Sequence, residues 1–276
     1  MARRGRVALP GALALVTGAG SGIGAATARA LADRGASVLC VDLNGDAAEK
    51  TAAACAERGA ALAWARTVDV ADADAMAALA DEVHRGHGAV DVLVNNAGVA
   101  VTGRLTDMSL DDWVWVRSIN LDGVIHGCAL FGPAMLRRGR GHVVNVSSAL
   151  GYVATATEPA YVATKAAVLA LSQCLRADWA RDGVGVSAIC PGIVDTPIVP
   201  HGTRFRGDQA SPEKRRRTDR VFRRGHRPEQ VAAAAVDAVE RDRAVVPVGW
   251  EARAGWYVHR LAPLPVQQLL ARGTRR

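Results

Sequence analysis

The amino-acid sequence predicts one α/β domain, in which a mostly parallel sheet of seven strands is covered by helices on both faces. Seven short apolar segments alternate with Ala-rich segments of helical length along the 276 residues, and this alternation is typical of parallel strands joined by right-handed crossovers. Half of the residues are hydrophobic but only 4% are aromatic, so we expect a core of Ala, Val and Leu. A glycine-rich turn after the first apolar segment lies where a doubly wound sheet binds its ligand.

The strands and helices are predicted from their composition and from the turn residues between them. The strand segments are rich in Val and Leu, and most end at Gly, Asp, Asn or Ser. They are residues 12–17, 37–42, 61–70, 90–96, 141–148, 184–192 and 244–249. The helical segments are rich in Ala and long enough for a helix that packs on a sheet. They are residues 25–35, 44–58, 72–87, 109–137, 159–181 and 228–241.

The chain is predicted to consist of a basic tail at residues 1–10, a main domain at 11–249 and a C-terminal extension at 250–276. Three arginines before an apolar stretch imitate a signal peptide, but Pro10 and Gly11 interrupt that stretch. No later run approaches the roughly 18 apolar residues of a membrane helix. We therefore expect a soluble, cytoplasmic protein.

The spacing of cysteines and histidines gives no sign of a metal centre. The five cysteines are far apart and form no CxxC pair, which predicts buried thiols in a reducing compartment. The seven histidines form no HExxH or His-x-His cluster, and the chain has no G-x-S-x-G elbow. The sequence predicts neither a metal site nor serine-hydrolase chemistry.

The glycine-rich turn TGAGSGIG, residues 17–24, joins the first strand to the first helix. Its glycines Gly18, Gly22 and Gly24 fit the spacing G-x-x-x-G-x-G, which differs slightly from G-x-G-x-x-G. Placed here, the turn predicts a Rossmann-type dinucleotide site, with the pyrophosphate against the first helix amides. An ordinary tight turn is the alternative. The predicted contacts are Gly18, Ser21, Gly22, Ile23 and Gly24.

Asp42 ends the second predicted strand. A carboxylate at that position can accept hydrogen bonds from both ribose hydroxyls of the adenosine, and it repels a 2′-phosphate. Neither Leu43 nor Asn44 after it supplies a positive charge. The sequence therefore favours NAD over NADP, and the alternative is a surface Asp that begins a turn.

Two further strand ends carry polar or small residues. Asp69 and Val70 follow the third strand and are predicted to contact the adenine. NNAG, residues 95–98, ends the fourth strand. There Asn95 can join neighbouring strands, while Asn96, Ala97 and Gly98 let the backbone pass beside the cofactor.

Eight motifs follow one another between residues 13 and 248. They are TGAGSGIG, Asp42, DV at 69–70, NNAG, SINLDG with Asn120, VVNVSSALG, YVATK and PGIVDT. In these motifs and their order the chain resembles the classical branch of the short-chain dehydrogenase/reductase family; residues 1–10 and 250–276 are not covered. The resemblance implies direct hydride exchange between a nicotinamide cofactor and an alcohol or ketone. It also implies a homodimer or homotetramer through the helices that contain Asn120 and Tyr161, and a catalytic set of Asn120, Ser148, Tyr161 and Lys165.

Lys165 is one of only three lysines in a chain with 31 arginines, and it lies four residues after Tyr161. Positions i and i+4 share a helix face, so the phenol and the ammonium can contact one object. A phenol with its ordinary pKa of about 10 is poorly matched to neutral pH, and a nearby ammonium favours the phenolate. The compact ammonium can also donate to the nicotinamide ribose, whereas Arg presents a planar fork. We therefore expect a lowered pKa for Tyr161.

The resemblance also implies contacts around the reacting atoms. Ser148 holds the substrate oxygen, with Ser147 as the neighbouring alternative, and Asn120 binds a water that links Lys165 to solvent. The nicotinamide contacts implied after the sixth strand are Pro191, Gly192, Ile193 and Thr196. The predicted cofactor contacts include Tyr161 and Lys165 as well. The predicted substrate contacts are Ser148, Leu150, Val153, Tyr161 and Ile198.

Residues 197–227 occupy the place of the family's substrate lid and carry ten basic and three acidic side chains. We expect a mobile segment with Ile198, Val199 and Phe205 toward the substrate and its arginines toward water. Two alternatives stay open: its arginines at 215–217, 223 and 224 recognise an anionic substrate group, or they bind nucleic acid or an anionic membrane. Because a solvated face is the default for a charge run, no nucleic-acid partner is predicted.

The extension at 250–276 alternates aromatic residues and leucines with arginines, and Pro263 and Pro265 divide it. Contact with a partner subunit is predicted, and a peripheral membrane contact is the alternative. The apolar residues concerned are Trp250, Trp256, Tyr257, Leu261, Leu264, Leu269 and Leu270.

The function predicted from these residues is an NAD(H)-dependent oxidoreductase that interconverts a secondary alcohol and a ketone. Apolar residues near Leu150 and in the lid favour a mainly apolar substrate of the terpenoid, steroid or alicyclic class. The alternative function is a sensor or scaffold protein that binds NAD without turnover. The presence of the complete catalytic set argues against that alternative.

Overall fold

The computed structural model of the protein describes residues 5–263 and 265–267. The strands are β1 (Leu13–Thr17), β2 (Ser37–Asp42), β3 (Ala63–Thr67), β4 (Val92–Asn95), β5 (Ala100–Thr102), β6 (Gly141–Val146), β7 (Val184–Pro191), β8 (Thr203–Phe205) and β9 (Val245–Val248). Seven of them form one parallel sheet in the order β3-β2-β1-β4-β6-β7-β9, and β5 pairs with β8 separately. The predicted fold class is confirmed, including all seven predicted strands.

The helices cover both faces of this sheet. They are α1 (Gly22–Ala32), α2 (Gly45–Glu57), α3 (Ala73–His87), α4 (Leu110–Arg117), α5 (Gly123–Arg138), α6 (Pro159–Trp179), α7 (Ile198–Gly202), α8 (Pro212–Phe222), α9 (Pro228–Arg241) and α10 (Trp250–Leu261). Alternate residues of a strand face opposite sides, so Val16 packs with α1 and α9 whereas Leu15 packs with α3 and α5. This alternation gives the domain two buried cores, one on each face.

The carboxyl ends of the strands meet along one edge of the sheet. The strand order reverses between β1 and β4, and at such a point the loops diverge and leave a crevice. Below the crevice, Asn95 Nδ2 of β4 donates to Asn145 Oδ1 of β6 at 2.9 Å, and Asn145 donates to Ser172 of α6 at 3.0 Å. These buried amides join the two strands and α6 beneath the crevice.

The helical segment predicted at 109–137 consists of α4, a π-helical turn at Ser118–Asp122 and α5. The continuous run Leu110–Arg138 is long and apolar enough to cross a membrane by length and composition, and 44% of its most apolar window is buried inside the domain. Phe131 and Met135 of this run are fully buried against the sheet. Packing in the core therefore accounts for part of its apolar character.

The packed domain begins before residue 11. Val7 and Leu9 are buried in the core, and the Gly5 carbonyl oxygen lies 2.7 Å from His142 Nδ1. Assigning residues 1–10 to a tail was therefore wrong for residues 5–10, because apolar side chains within that segment contribute to the core. Residues 1–4 lie outside the described residues.

The C-terminal extension begins with a helix that folds back on the domain. The Tyr152 hydroxyl donates to the Ala252 carbonyl oxygen of α10 at 2.7 Å, and Trp256 packs edge-on against the Tyr152 ring. Trp250, Tyr257 and Leu261 remain exposed on the other side of α10. The remaining apolar residues of the prediction, Leu264, Leu269 and Leu270, lie outside the described residues.

Candidate active site

The glycine loop between β1 and α1 has the geometry of an anion-binding turn. Gly18 and Gly22 adopt φ of +62° and +51°, a region that favours glycine. A Cβ on Gly24 would lie 2.0 Å from the Gly18 carbonyl oxygen, so the loop and α1 approach each other closely. Ser21 caps α1 without a side-chain hydrogen bond, and the first turn holds no acidic residue. The first amides of α1 are therefore suited to a phosphate group.

Asn96, the residue after the neighbouring strand β4, fixes the shape of this loop. Asn96 Nδ2 donates to the Thr17 and Gly18 carbonyl oxygens at 2.9 and 3.2 Å. Thr17 Oγ1 in turn accepts hydrogen bonds from the amides of Asn96 and Ala97. A Cβ on Gly18 would lie 2.8 Å from the Ala97 Cα. The two motifs, remote in sequence, thus form one surface at the reversal of strand order.

Asp42 lies at the end of β2 beside the glycine loop. Its two carboxylate oxygens accept hydrogen bonds from the amides of Gly20 at 2.8 Å and Asn44 at 2.9 Å. These bonds fix the carboxylate where a dinucleotide presents its adenosine ribose. Leu43 next to it is exposed. This is the position at which the sequence predicts a contact with the adenosine ribose.

The predicted adenine contacts lie on the other side of that position. Asp69 is exposed, and its Oδ1 accepts a hydrogen bond from the Ala71 amide at 2.9 Å. Val70 is buried, and its carbonyl oxygen lies 2.9 Å from His126 Nδ1. Asp69 and Val70 therefore lie at the carboxyl side of β3, where the main chain is tied to α5.

Tyr161, Lys165 and Ser148 lie together at the centre of the crevice. The Lys165 ammonium is 5.7 Å from the centroid of the Tyr161 ring and donates to the Val146 carbonyl oxygen at 2.9 Å. The Ser148 side chain lies close enough to the Tyr161 phenol to oppose the rise of its pKa. Ser147, the alternative in the sequence, instead donates to the Lys165 carbonyl oxygen at 2.7 Å. The geometry thus selects Ser148 as the serine beside the phenol.

Burial controls the proton affinities of this cluster. It raises the pKa of Tyr161 to about 12, although the hydrogen bond with Ser148 opposes the shift and the negative charge of Glu158 adds to it. Burial also lowers the pKa of Lys165 to about 8. The expected lowering of the Tyr161 pKa is therefore wrong. Desolvation of the phenolate outweighs the nearby donors.

Asn120 lies in the π-helical turn and is fully buried. Its Nδ2 donates to the Val99 carbonyl oxygen at 2.9 Å, and its Oδ1 accepts from the Val99 amide at 2.8 Å. A Cβ on Gly98 would lie 3.4 Å from both Asn120 Oδ1 and Lys165 Nζ. Gly98 thus lies between these two groups, and a π turn at such a place is typical of functional sites.

The loop after β7 is held from outside by α10. The Ile193 amide donates to Glu251 Oε1 at 2.9 Å, and Glu251 Oε2 lies 2.9 Å from His226 Nε2. A Cβ on Gly192 would lie 2.1 Å from Glu251 Oε1, so a larger residue there would displace the Glu251 carboxylate from the loop. At the other end of the loop, Thr196 contacts the position where a Cβ on Gly22 would lie. The predicted residues Pro191 to Thr196 therefore run from β7 to the glycine loop.

Glu251 and His226 were not found from the sequence. They are remote from the motifs, and no spacing rule connects an acidic residue in a helix after the last strand with a loop near residue 193. The available signal was weak: Glu251 lies in the first turn of a predicted extension. Only the return of α10 to the crevice brings these side chains together.

The predicted substrate wall is shared between the crevice and α10. Leu150 and Ile198 are partly buried at the crevice. A Cβ on Gly255 of α10 would lie 2.8 Å from Val153, so Val153 packs against the extension. Part of the predicted apolar wall thus holds α10 in place.

The lid folds into regular structure and is attached to α4. Arg206 donates to both carboxylate oxygens of Asp112 at 2.7 and 2.8 Å, and the Arg204 guanidinium lies 3.9 Å from the centroid of the Trp115 ring. The hydrogen bond from Arg206 lowers the pKa of the buried Asp112 to about 2. The expectation that the lid arginines face water is therefore wrong for Arg204 and Arg206. Val199 and Phe205 are buried beneath them.

These residues fit a dinucleotide. The glycine loop packs closely against α1 and Ala97, where a Cβ on Gly24 or Gly18 would collide with the backbone. The first amides of α1 are suited to a pyrophosphate, and Asp42 offers a fixed acceptor at the next strand. The Tyr161 cluster lies on the other side of the reversal of strand order, where the nicotinamide half of a dinucleotide would extend.

Comparison with known proteins agrees with this geometry. The sequence pattern of the family described as short chain dehydrogenase matches residues 12–205. The probable oxidoreductase EphD of Mycobacterium tuberculosis is 41% identical over 257 residues, which cover 91% of this chain and 43% of that protein. The chain thus spans less than half the length of that curated relative. D-threitol dehydrogenase of Mycolicibacterium smegmatis is 44% identical over 191 residues, covering 69% of this chain and 73% of that protein.

Solved structures show the same architecture. A crystal structure of a short-chain dehydrogenase/reductase from Burkholderia phymatum in complex with NAD superimposes with a TM-score of 0.84 at 31% identity, covering 95% of this chain and 96% of the other. The sheet order, the clustering of Tyr161, Lys165 and Ser148, and the family match all point to the same family. The chain belongs to the short-chain dehydrogenase/reductase family, in its classical branch.

Proposed function

We propose that this protein is an NAD(H)-dependent oxidoreductase that interconverts a secondary alcohol and a ketone. The observation that supports the proposal most is the partly buried phenol of Tyr161, with Ser148 beside it and the Lys165 ammonium 5.7 Å from its ring centroid. A pure binding protein has no need of an acid/base group in this place. The same crevice contains the glycine loop and Asp42.

Each residue has a defined part in the proposed reaction. Ser148 and Tyr161 hold the substrate oxygen by hydrogen bonds, which orients the carbinol carbon. In alcohol oxidation the Tyr161 phenolate takes the hydroxyl proton, and in ketone reduction the phenol returns it. Lys165 stabilises the phenolate through its positive charge. The cofactor, when bound, accepts or supplies the hydride.

NAD is proposed over NADP because of Asp42. Its carboxylate accepts hydrogen bonds from Gly20 and Asn44, and a second negative charge from a 2′-phosphate would face it without a cation in the adjoining turn. The NAD held by the Burkholderia phymatum relative is consistent with this preference. Substitution of NADP for NAD in the assay is expected to lower kcat/KM at least tenfold, and equal use of the two cofactors would contradict the proposal.

The proposed substrate has an alkyl part and a secondary hydroxyl. Leu150 and Ile198 at the crevice support the alkyl part, as the sequence predicted. The similarity to a D-threitol dehydrogenase extends the proposal to alcohols that carry further hydroxyl groups. Acyclic diols and polyols therefore belong in the test panel together with alicyclic alcohols.

The experiment is an NADH absorbance assay with a panel of secondary alcohols and their ketones. Tyr161→Phe is expected to lower kcat by roughly 100- to 10,000-fold, because it removes the acid/base hydroxyl, while NAD binding measured by calorimetry is retained. Tyr257→Phe, at an exposed phenol of α10, is the matched control and should keep full activity. NAD binding without turnover of any alcohol or ketone would instead support a sensor or scaffold.

A further inference from the structure

A carboxylate lies beside Tyr161 at the start of α6. Glu158 is the N-cap residue of α6 and lies three residues before Tyr161, so the two residues are close together at the start of the helix. Thr102 Oγ1, at the end of β5, donates to Glu158 Oε1 at 3.4 Å. The negative charge of Glu158 contributes to the raised pKa of Tyr161. Glu158 is therefore close to the phenol that holds the reacting oxygen.

The surroundings of Glu158 are rich in hydroxyl groups. Thr155 and Thr157 lie in the segment before it, with their hydroxyl oxygens 3.4 Å apart. The Gly103 amide donates to the Thr157 carbonyl oxygen at 2.7 Å, which ties this segment to the end of β5. Thr102 itself is buried. The segment thus places several hydroxyl groups around Glu158, next to the start of α6.

Glu158 forms no ion pair with any residue that the structure describes, 5–263 and 265–267, although the chain is rich in arginine. Burial raises the pKa of Glu158 despite its hydrogen bond from Thr102. A partly buried carboxylate without a cation is unfavourable unless hydrogen-bond donors replace its water. Hydroxyl groups of a bound substrate are such donors.

We propose that Glu158, supported by Thr102, binds a second hydroxyl of the substrate, so that the preferred substrates are vicinal diols or longer polyols. The inference rests on the proposed function, since the reacting hydroxyl must lie on Tyr161 and Ser148. A hydroxyl on the adjacent carbon then donates to the Glu158 carboxylate. The mainly apolar substrate predicted from the sequence is replaced by one with a hydroxylated side.

The test compares two substrates that differ by one hydroxyl, 2-butanol and 2,3-butanediol, in the NADH assay. A site built around a substrate hydroxyl rejects the analogue that lacks it. We expect the wild-type protein to prefer the diol by roughly 10- to 100-fold in kcat/KM. Glu158→Leu is expected to lower this ratio at least tenfold, and Glu158→Gln, which keeps an acceptor oxygen, to give an intermediate value.

The ratio of kcat/KM for 2,3-butanediol to kcat/KM for 2-butanol, taken within one variant, separates binding of the second hydroxyl from other effects of the substitution. Glu158 also influences the Tyr161 pKa, but a change in proton transfer or in the folded fraction acts on both substrates alike and cancels. Glu57→Gln and Glu57→Leu, at an exposed position of α2, are the matched controls and should keep the wild-type ratio. If Glu158→Leu does not fold, Glu158→Gln and Thr102→Val provide the same comparison.

The outcomes distinguish this inference from the proposed function. Turnover of both alcohols with an equal ratio in wild type and Glu158 variants would overturn the role of Glu158 and leave the proposed function intact. Equal kcat/KM values of the wild type for 2-butanol and 2,3-butanediol would likewise overturn the role of Glu158 and leave the proposed function intact. Failure to turn over any alcohol or ketone, with NAD still bound, would overturn both.

Discussion

At the scale of single residues, the candidate site depends on the close packing around one charged group, the Lys165 ammonium. Lys165 is 3% exposed, its ammonium donates to the Val146 carbonyl oxygen, and a methyl group on Gly98 would lie 3.4 Å from it. An ammonium on a slender stem fits between these groups. A planar guanidinium requires more width and a different donor geometry. This explains why a chain that uses arginine almost everywhere has lysine here.

Lys165→Arg therefore tests shape at constant charge. We expect kcat to fall at least 100-fold, nearly as far as in Lys165→Met, because the guanidinium cannot occupy the same position beside Tyr161. Steady-state kinetics give kcat, and thermal unfolding followed by circular dichroism reports whether the fold is kept. Lys50→Arg, at an exposed position of α2, is the control. Activity of Lys165→Arg within tenfold of the wild type would show that charge alone suffices.

At the scale of elements, two segments outside the central sheet hold the crevice in shape. Asp112 of α4 anchors the lid strand β8 through Arg206. Helix α10 anchors the loop after β7 through Glu251, which accepts the Ile193 amide and pairs with His226. His226 in turn lies at the end of the lid, two residues before α9. The end of the lid and the start of the extension thus meet on the loop that runs toward the glycine turn.

Glu251→Ala is expected to weaken NAD binding by roughly tenfold, because the Ile193 amide loses a charged acceptor and the loop gains freedom. Calorimetric Kd values for NAD provide the measurement. Glu251→Gln keeps an acceptor for the amide but loses the charged partner of His226, and should lie between Glu251→Ala and the wild type. Glu229→Gln, exposed on α9, is the control. An unchanged Kd in Glu251→Ala would mean that the loop keeps its position without α10.

At the scale of the whole molecule, exposed apolar side chains mark where a second subunit is expected. Leu110, Val114 and Ile125 lie exposed on α4 and α5, while the opposite sides of these helices are buried. Apolar groups clustered on one surface are typical of contacts between proteins. The family resemblance implies that helices in this region form the subunit contact.

The double substitution Val114→Glu and Ile125→Glu is expected to convert the oligomer to monomers, since it places two charges in an apolar contact. Sedimentation velocity measures the mass. Val221→Glu, at a comparably exposed apolar residue of α8, is the control and should leave the mass unchanged. A wild-type protein that sediments as a monomer would rule out the proposed homodimer or homotetramer.

Sedimentation of the protein with anionic vesicles would support the membrane alternative for the extension.

The sequence by itself determined the sheet, its connections and the position of each motif along the chain. Val-rich strands with a glycine turn between the first strand and helix leave few other folds, because buried parallel strands require helical crossovers. Asp42, Asn96, Ser148 and Tyr161 could be placed because each follows a strand or lies on a helix whose end the sequence marks. Local propensity and periodicity suffice for such placements.

Only the tertiary structure decided the proton affinities and the contacts between distant segments. The raised pKa of Tyr161 depends on how completely the folded chain removes water around the phenol, and no local pattern encodes that burial. The attachment of Arg206 to Asp112, of Glu251 to Ile193 and of Glu158 to Thr102 joins residues far apart in sequence. Such contacts form because packing of whole elements brings their side chains within hydrogen-bond distance, and no short-range pattern of residues records that packing.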